Sequence, residues 1–290
     1  MKYSVFTVSM PTYTPAEAVG KLKEYGYDGI EWRVIDQEPK PDSANFWQGN
    51  LCTLPLTGLA ESGGEYLKLT NDAGLEVSGV ASYVRCDDPE SAEVAILGAK
   101  AVGAKQLRIG VPGYDGLAPF KPIWDKAKEE YKVIVELAKK HQVKTLIELH
   151  HRTITPSASS ARLFLDGFDP EYVGAIHDAG NMVHEGYETH RMSLEMLGPY
   201  LAHVHAKNAR WFPKGYVKDG FNTIEWMSDW ATIPKGIIDF RALYTALHQV
   251  GYDGWIALED FSTENLLEDR LKGNLLYLST IEKEVREKSA

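Results

Sequence analysis

The sequence predicts an α/β fold, a single-domain (β/α)8 barrel, on three observations. One phrase is used twice. Gly26–Arg33 reads GYDGIEWR and Gly251–Asp260 reads GYDGWIALED, each after a helix-like stretch and each carrying an apolar run and an acid. The same grammar, an amphipathic stretch and then a short β-rich run, recurs until eight strands alternate with helices. The chain has 290 residues, a length that suits eight such units. The rival, a doubly wound open sheet, would carry a glycine-rich phosphate loop after its first strand, and VSMPTYTP has no glycine.

Taken in order, KYSVFTVS is the first strand. Thr14 caps the first helix, with Pro15 at its first position and Glu17 completing a capping box. Val19, Leu22 and Tyr25 form its apolar stripe, and Gly26 stops it before the strand DGIEWR. LEVSGVASYV, from Leu75, is the third strand. Asp88-Pro89 opens a helix through Val102, followed by QLRIGVP. The next helix, PIWDKAKEEYKVIVELAKKH, shows Trp124, Ala127, Tyr131, Ile134 and Ala138 on one face and leads to KTLIELH. Thr155-Pro156 opens another helix before VGAIHDAG, and an irregular helix near Ser193–Gly198 precedes LAHVHAK. Asp239 caps a helix with Phe240, Leu243, Tyr244, Leu247 and Val250 inward; GWIALED follows, then a last helix from about Glu264 to Glu287.

Two connections are too long to be simple links. Residues 34–60 carry Phe46 and Trp47; residues 209–235 carry Trp211, Trp226 and Trp230. Both follow strands, which puts them on the face where barrel enzymes build active sites. They read as insertions packed on their own aromatics, or as a lid or a partner surface; in the second, Trp211 and Trp226 are expected to cover the pocket.

The bulk numbers narrow the class. A net charge of −10 argues against a nucleic-acid partner, which needs a basic face. No run approaches a membrane span. Cys52 and Cys86 show no pairing pattern and read as reduced thiols, so a cytoplasmic protein is expected.

Strand residues alternate between barrel interior and helix layer. In TLIELH, apolar Ile147 and Leu149 suit the helices, which turns Glu148 and His150 inward. In LAHVHAK, Ala202, Val204 and Ala206 face out, and His203, His205 and Lys207 face in. The same parity turns Asp178 inward and His177 outward, and brings Glu259 in. Four successive strands thus end in Glu148, Asp178, His205 and Glu259. Three carboxylates crowded in a low-dielectric interior repel one another unless a cation joins them. Three carboxylates and an imidazole, with no thiolate, suit one Mn²⁺ first, with Mg²⁺, Co²⁺ or Zn²⁺ as alternatives.

A second set is basic. Arg33, Arg85, Arg108, Arg152 and Arg210 lie at or just after strand ends. They are scattered surface arginines, or some of them grip a carboxylate or phosphate. Glu31 shares a face with Arg33 and either bonds a substrate hydroxyl or pairs with that arginine. HEGYETH, His184–His190, lacks the second His of a zinc-protease HExxH, since Glu188 stands there. GVPGYDG reads as a plain flexible loop.

Over nearly its whole length the chain resembles the xylose-isomerase-like TIM barrels, the sugar phosphate isomerase/epimerase group. The carriers are GYDGIEW, IELH, HDAGN, HVHAKN, KGIIDF and IALED, in that order. The resemblance implies that Glu148, Asp178, His205 and Glu259 bind one divalent metal, and that Glu148 and Glu259 are the catalytic acid/base pair. It implies an isomerase or epimerase of a ketose or keto-polyol, working through a metal-stabilised enediolate. The alternative is a dehydratase or other lyase, since Arg108, His150 and Lys207 resemble the binding set of 3-dehydroshikimate dehydratases; a non-catalytic sugar-binding barrel ranks below both. Asn181 departs from the epimerases, which often carry His there, and the His-rich set of the endonuclease IV branch is missing. The expected substrate contacts are His150, Lys207, Arg108, Glu31, Arg210, Asn181 and Trp211, for a small sugar or keto-acid, in a chain that can self-associate as a homo-oligomer.

Overall fold

The computed structural model describes residues 1–218 and 221–289. Along the chain run β1 (Lys2–Phe6), α1 (Pro15–Tyr25), β2 (Gly29–Val34), β3 (Thr53–Leu54), α2 (Leu59–Asp72), β4 (Glu76–Arg85), α3 (Pro89–Ala101), β5 (Gln106–Gly110), α4 (Phe120–His141) and β6 (Lys144–Glu148). They are followed by α5 (Ala158–Leu165), β7 (Val173–Asp178), α6 (Ala179–His184), α7 (His190–Leu197), β8 (Leu201–Ala206), β9 (Asn208–Tyr216), β10 (Ile224–Ala231), α8 (Phe240–Gln249), β11 (Trp255–Leu258) and α9 (Leu267–Ser289). Strands β1, β2, β4, β5, β6, β7, β8 and β11 pair in parallel, and β1 bonds both β2 and β11, which closes the barrel.

The repeated phrase has a physical reason. Thr14 and Glu17 make the reciprocal capping box of α1, and Gly26 ends the helix at φ 89°, a left-handed conformation that only glycine takes at little cost. Asp28 accepts the Tyr3 amide at 2.8 Å, fixing the entry to β2. A Cβ at Gly29 would lie 2.5 Å from the Glu76 carbonyl oxygen and 2.7 Å from the Trp255 ring. The glycine of the first copy is therefore covered by the tryptophan that starts the strand of the second, where the barrel closes.

Most cap expectations hold: Asp88 and Asp239 accept amide hydrogens at the starts of α3 and α8. At α5 the cap is Ser157, not Thr155. Ser157 and Ser160 bond reciprocally, a box that the Thr155-Pro156 pair obscured.

The two insertions differ from plain loops. Residues 34–60 contribute β3, a two-residue strand beside the end of β2. Arg33 ties this segment down, donating to Thr53 Oγ1 (2.7 Å) and the Trp47 carbonyl (3.2 Å). Residues 209–235 are mostly an antiparallel hairpin of β9 and β10, not an irregular loop. Its base is fastened by buried Asn208, whose amide donates to the Ile233 and Ile238 carbonyls while its oxygen accepts from the Ala209 and Ile238 amides. Among the described residues, no helix is long and apolar enough to cross a membrane.

Candidate metal centre and pocket

The inward parity of the strand residues brings the four expected ligands to one point. Glu148 and Asp178 end β6 and β7, His205 is the penultimate residue of β8, and Glu259 follows β11 directly. One ligand atom from each lies within 4.8 Å of all the others, and all four residues are buried. His205 Nδ1 is 3.3 Å from Glu148 Oε1 and 3.5 Å from both Asp178 Oδ2 and Glu259 Oε2.

The layer beneath decides how His205 is presented. Gln106 donates one amide hydrogen to the Ser78 carbonyl (3.0 Å), which orients the amide, and meets His203 Nδ1 at 3.2 Å. An amide nitrogen only donates, so His203 Nδ1 accepts and its Nε2 carries the proton. That nitrogen lies 3.2 Å from Glu31 Oε2, and His205 Nε2 lies 3.1 Å from the same oxygen. An ionised carboxylate only accepts, so both imidazoles donate to it. Burial works against the Glu31 charge, but His205 and His203 outweigh it and hold the carboxyl below the usual range. This corrects the expectation for Glu31: it neither pairs with Arg33 nor lines the pocket. It turns the His205 Nδ1 lone pair toward three carboxylates.

That arrangement fits a divalent cation. Asp178 Oδ2, Glu259 Oε2 and His205 Nδ1 are buried atoms without a hydrogen-bond partner, and such groups are costly unless something satisfies them. The donor set is oxygen-rich with one imidazole, which divalent ions accept. Without a metal, a proton on His205 joins Lys207 in supplying the positive charge. Burial opposes it, but Glu31, Asp178, Glu148 and Glu259 raise the His205 pKa well above the usual value.

Basic side chains frame the centre. Arg108 Nη1 donates to Glu148 Oε2 at 2.5 Å and its guanidinium stacks 4.9 Å from the Tyr83 ring. Burial opposes ionising Glu148, yet Arg108, His205 and His150 outweigh it and hold the carboxyl well below its usual range. Lys207 Nζ is 2.8 Å from Asp178 Oδ2 and also pairs with Glu259, an ion pair without hydrogen-bond alignment at either oxygen. It donates to Asn181 Oδ1 at 3.1 Å, and Asn181 in turn donates to Glu148 Oε1 at 3.2 Å. Asn181 thus bridges Lys207 and Glu148 rather than facing the pocket. Gly180 makes room for Lys207, since a Cβ there would lie 2.7 Å from the lysine backbone.

Above the cluster is a cavity of about 320 Å³. Arg108, Glu148, His150, Lys207 and Glu259 form its polar floor and sides. His150 donates its Nδ1 hydrogen to the His151 carbonyl (2.7 Å), which fixes the ring at the pocket wall. Trp47, Trp230 and Phe261 supply apolar walls. Trp230 and Phe261 pack at 5.3 Å between ring centroids, and each holds Lys207 over its ring.

Two expected contacts are not there. Arg210 lies outside the pocket and pairs with Glu264 at 3.4 Å. Trp211 donates its indole hydrogen to the Val183 carbonyl (2.7 Å) and lines a neighbouring cleft. Trp226 also lies outside the pocket and is 56% exposed. The hairpin register explains all three, because it is Trp230, opposite Ala209 at the base, that reaches the pocket. Phe261 was missed altogether. Its signal was position, two residues past Glu259.

The comparisons agree with this architecture. The model of the xylose isomerase-like TIM barrel family matches residues 19–280. An inosose dehydratase of Bacillus cereus (strain AH820) is 27% identical over 176 residues, 56% of this chain, and the match spans only 58% of that relative. Among solved structures, a D-tagatose 3-epimerase-like protein superposes with TM-score 0.72 at 19% identity, covering 100% of both chains. The IOLI protein, solved with a zinc atom, superposes with TM-score 0.76 at 16% identity, covering 98% of this chain and 99% of its own. At these identities the structural likeness speaks for the fold.

Proposed function

Because the chain belongs to the xylose isomerase-like TIM barrel family, we propose that it is a divalent-metal-dependent enzyme that moves a proton beside the carbonyl of a small ketose or keto-polyol, giving an isomer or epimer. The observation that carries this reading is the pair of buried glutamates, Glu148 and Glu259, that share one cluster with Asp178 and His205.

Glu148, Asp178, His205 and Glu259 would hold the ion. When bound, it supplies Lewis-acid polarisation of a carbonyl and charge neutralisation for the anion left by proton loss. Mn²⁺ is the first candidate on the oxygen-rich donor set, with Zn²⁺, the ion of the similar IOLI protein, as an alternative. Glu148, kept ionised by Arg108, is the base that takes the proton. Glu259 returns it from its own side of the cluster, with Lys207 beside it to keep it in place. Lys207 and His150 also line the pocket and bind the substrate's oxygen atoms. Trp47, Trp230 and Phe261 exclude water, which keeps the abstracted proton from random exchange.

A dehydratase is the second reading. It is favoured by the inosose dehydratase relative and by Lys207, a buried cation that can assist departure of a β-hydroxyl. Metal-loaded protein incubated in D₂O with a panel of ketoses and with an inosose separates the two. Deuterium at the carbon next to the carbonyl, in a product of unchanged composition, supports the isomerase. Loss of one water selects the dehydratase. No exchange on any member rejects both.

A further inference from the structure

Trp230 divides two spaces. On one side its ring faces Lys207 and Phe261 over the metal cluster. On the other, His184 packs edge-on against it at 4.5 Å between centroids. Beyond His184 lies a second cleft of about 390 Å³, between the hairpin and the segments after β6 and β7. This is the size of a small-molecule site. Its walls include Trp211, Trp230, His151, His184, Arg152 and Glu185.

The cleft is built rather than incidental. His151 stacks on His150 of the main pocket (4.4 Å) and meets His184 at 4.7 Å. His151 Nδ1 and His184 Nε2 are both buried without a hydrogen-bond partner, so the cleft wall carries unmet polar capacity. Burial leads the causes that push the His151 pKa down to about 4 and lower that of His184. Neutral imidazoles can donate or accept, which suits hydroxyl groups. Trp211 is held in place by its bond to Val183 and offers a fixed indole face. Arg152 faces two carboxylates, Glu185 and Asp229, which leaves the walls with a net negative charge and disfavours an anionic ligand.

We propose that this cleft binds a neutral polyhydroxylated ring, its C–H face on the indoles and its hydroxyls on His151 and His184. The ring is either a free sugar or the second unit of a glycoside whose reacting unit lies across Trp230; the latter source rests on the function proposed above. The test uses the full chain and saturation-transfer NMR with glucose, galactose and myo-inositol, and with maltose, cellobiose, lactose and sucrose. At least one probe is expected to bind, and Trp211→Ala and His184→Ala are each expected to weaken that binding about tenfold. Trp211→Phe, which keeps a ring, should retain most of it. Unchanged melting temperature and metal uptake show that the variants fold. Binding by a free monosaccharide identifies a separate ring site. Binding only by a disaccharide, with contact to both rings, identifies a substrate subsite. Binding by no probe, or binding untouched by both variants, overturns the proposal. Failure of the metal-enzyme reading would show separately, as absent proton exchange with the cleft intact.

Discussion

Glu31 Oε2 and His205 Nε2 lie 3.1 Å apart at the floor of the barrel, and this bond selects which imidazole nitrogen meets the three carboxylates. His203 donates to the same oxygen, so one carboxylate fixes two rings. A carboxylate behind a ligating histidine both orients the ring and raises its basicity. Glu31→Leu should therefore weaken divalent-metal affinity about 10–100-fold. Glu31→Gln, which still accepts through oxygen but lacks the charge, should fall in between. Titration calorimetry with Mn²⁺ checks this, and equal affinity in all three proteins would remove the orienting role.

The glutamates can be separated from the ion they would hold. Glu148→Gln and Glu259→Gln retain an oxygen donor but cannot take up a proton as a carboxylate does. With Mn²⁺ at saturation, each should still lose ~10²–10⁴-fold in exchange of the substrate proton with D₂O, the usual scale of general acid–base catalysis. His205→Asn should recover in part with excess metal. Wild-type exchange rates in both Gln variants would move the search for the base to His150 or Lys207.

Metal uptake should release a proton. The carboxylates and Glu31 raise the His205 pKa well above its ordinary value, so near pH 7 the metal-free ring carries a proton that an ion must displace. Affinity should fall about tenfold for each pH unit of acidification below that pKa. Binding heats measured in buffers of different ionisation enthalpy should report about one proton leaving at pH 7. Heats independent of buffer would show His205 already unprotonated.

Acid stability should depend on His177. It faces the helix layer, bonded to Ser193 Oγ at 3.0 Å, and burial followed by His190 pushes its pKa down to about 4. A depressed histidine contributes stability that is whole above its unfolded pKa of about 6.5 and disappears as pH falls toward 4. The full loss is on the order of 3 kcal/mol. Denaturant melts in EDTA between pH 7 and 4 should fall more steeply for the wild type than for His177→Asn. Parallel curves would show that another group dominates acid unfolding.

The barrel was legible because its signals are local. Thr14, Asp88 and Asp239 announce helix starts, Gly26 and Gly251 announce stops, and the two-residue alternation of LAHVHAK divides inward from outward side chains. The cluster followed from the same parity. The hairpin was not legible, because its pairing joins Arg210 to Asp229 and Trp211 to Ser228, contacts that no local pattern specifies. Its interior proline, Pro213, also argued against a strand. Glu31 was misassigned for a related reason: sharing a face with Arg33 says nothing of its depth, which depends on how β2 and β8 face each other across the closed barrel.

The Asn208 clamp carries a consequence for how such a molecule can change over generations. The hairpin is riveted at its root by four bonds to one buried side chain, beside Gly236, where a Cβ would collide with that amide. Its outer part makes its main chain pairing with itself. Mutations toward the tip can therefore be sampled without disturbing the spacing of the acids below. What the finger touches can thus change over generations while the acids at the strand ends keep their spacing.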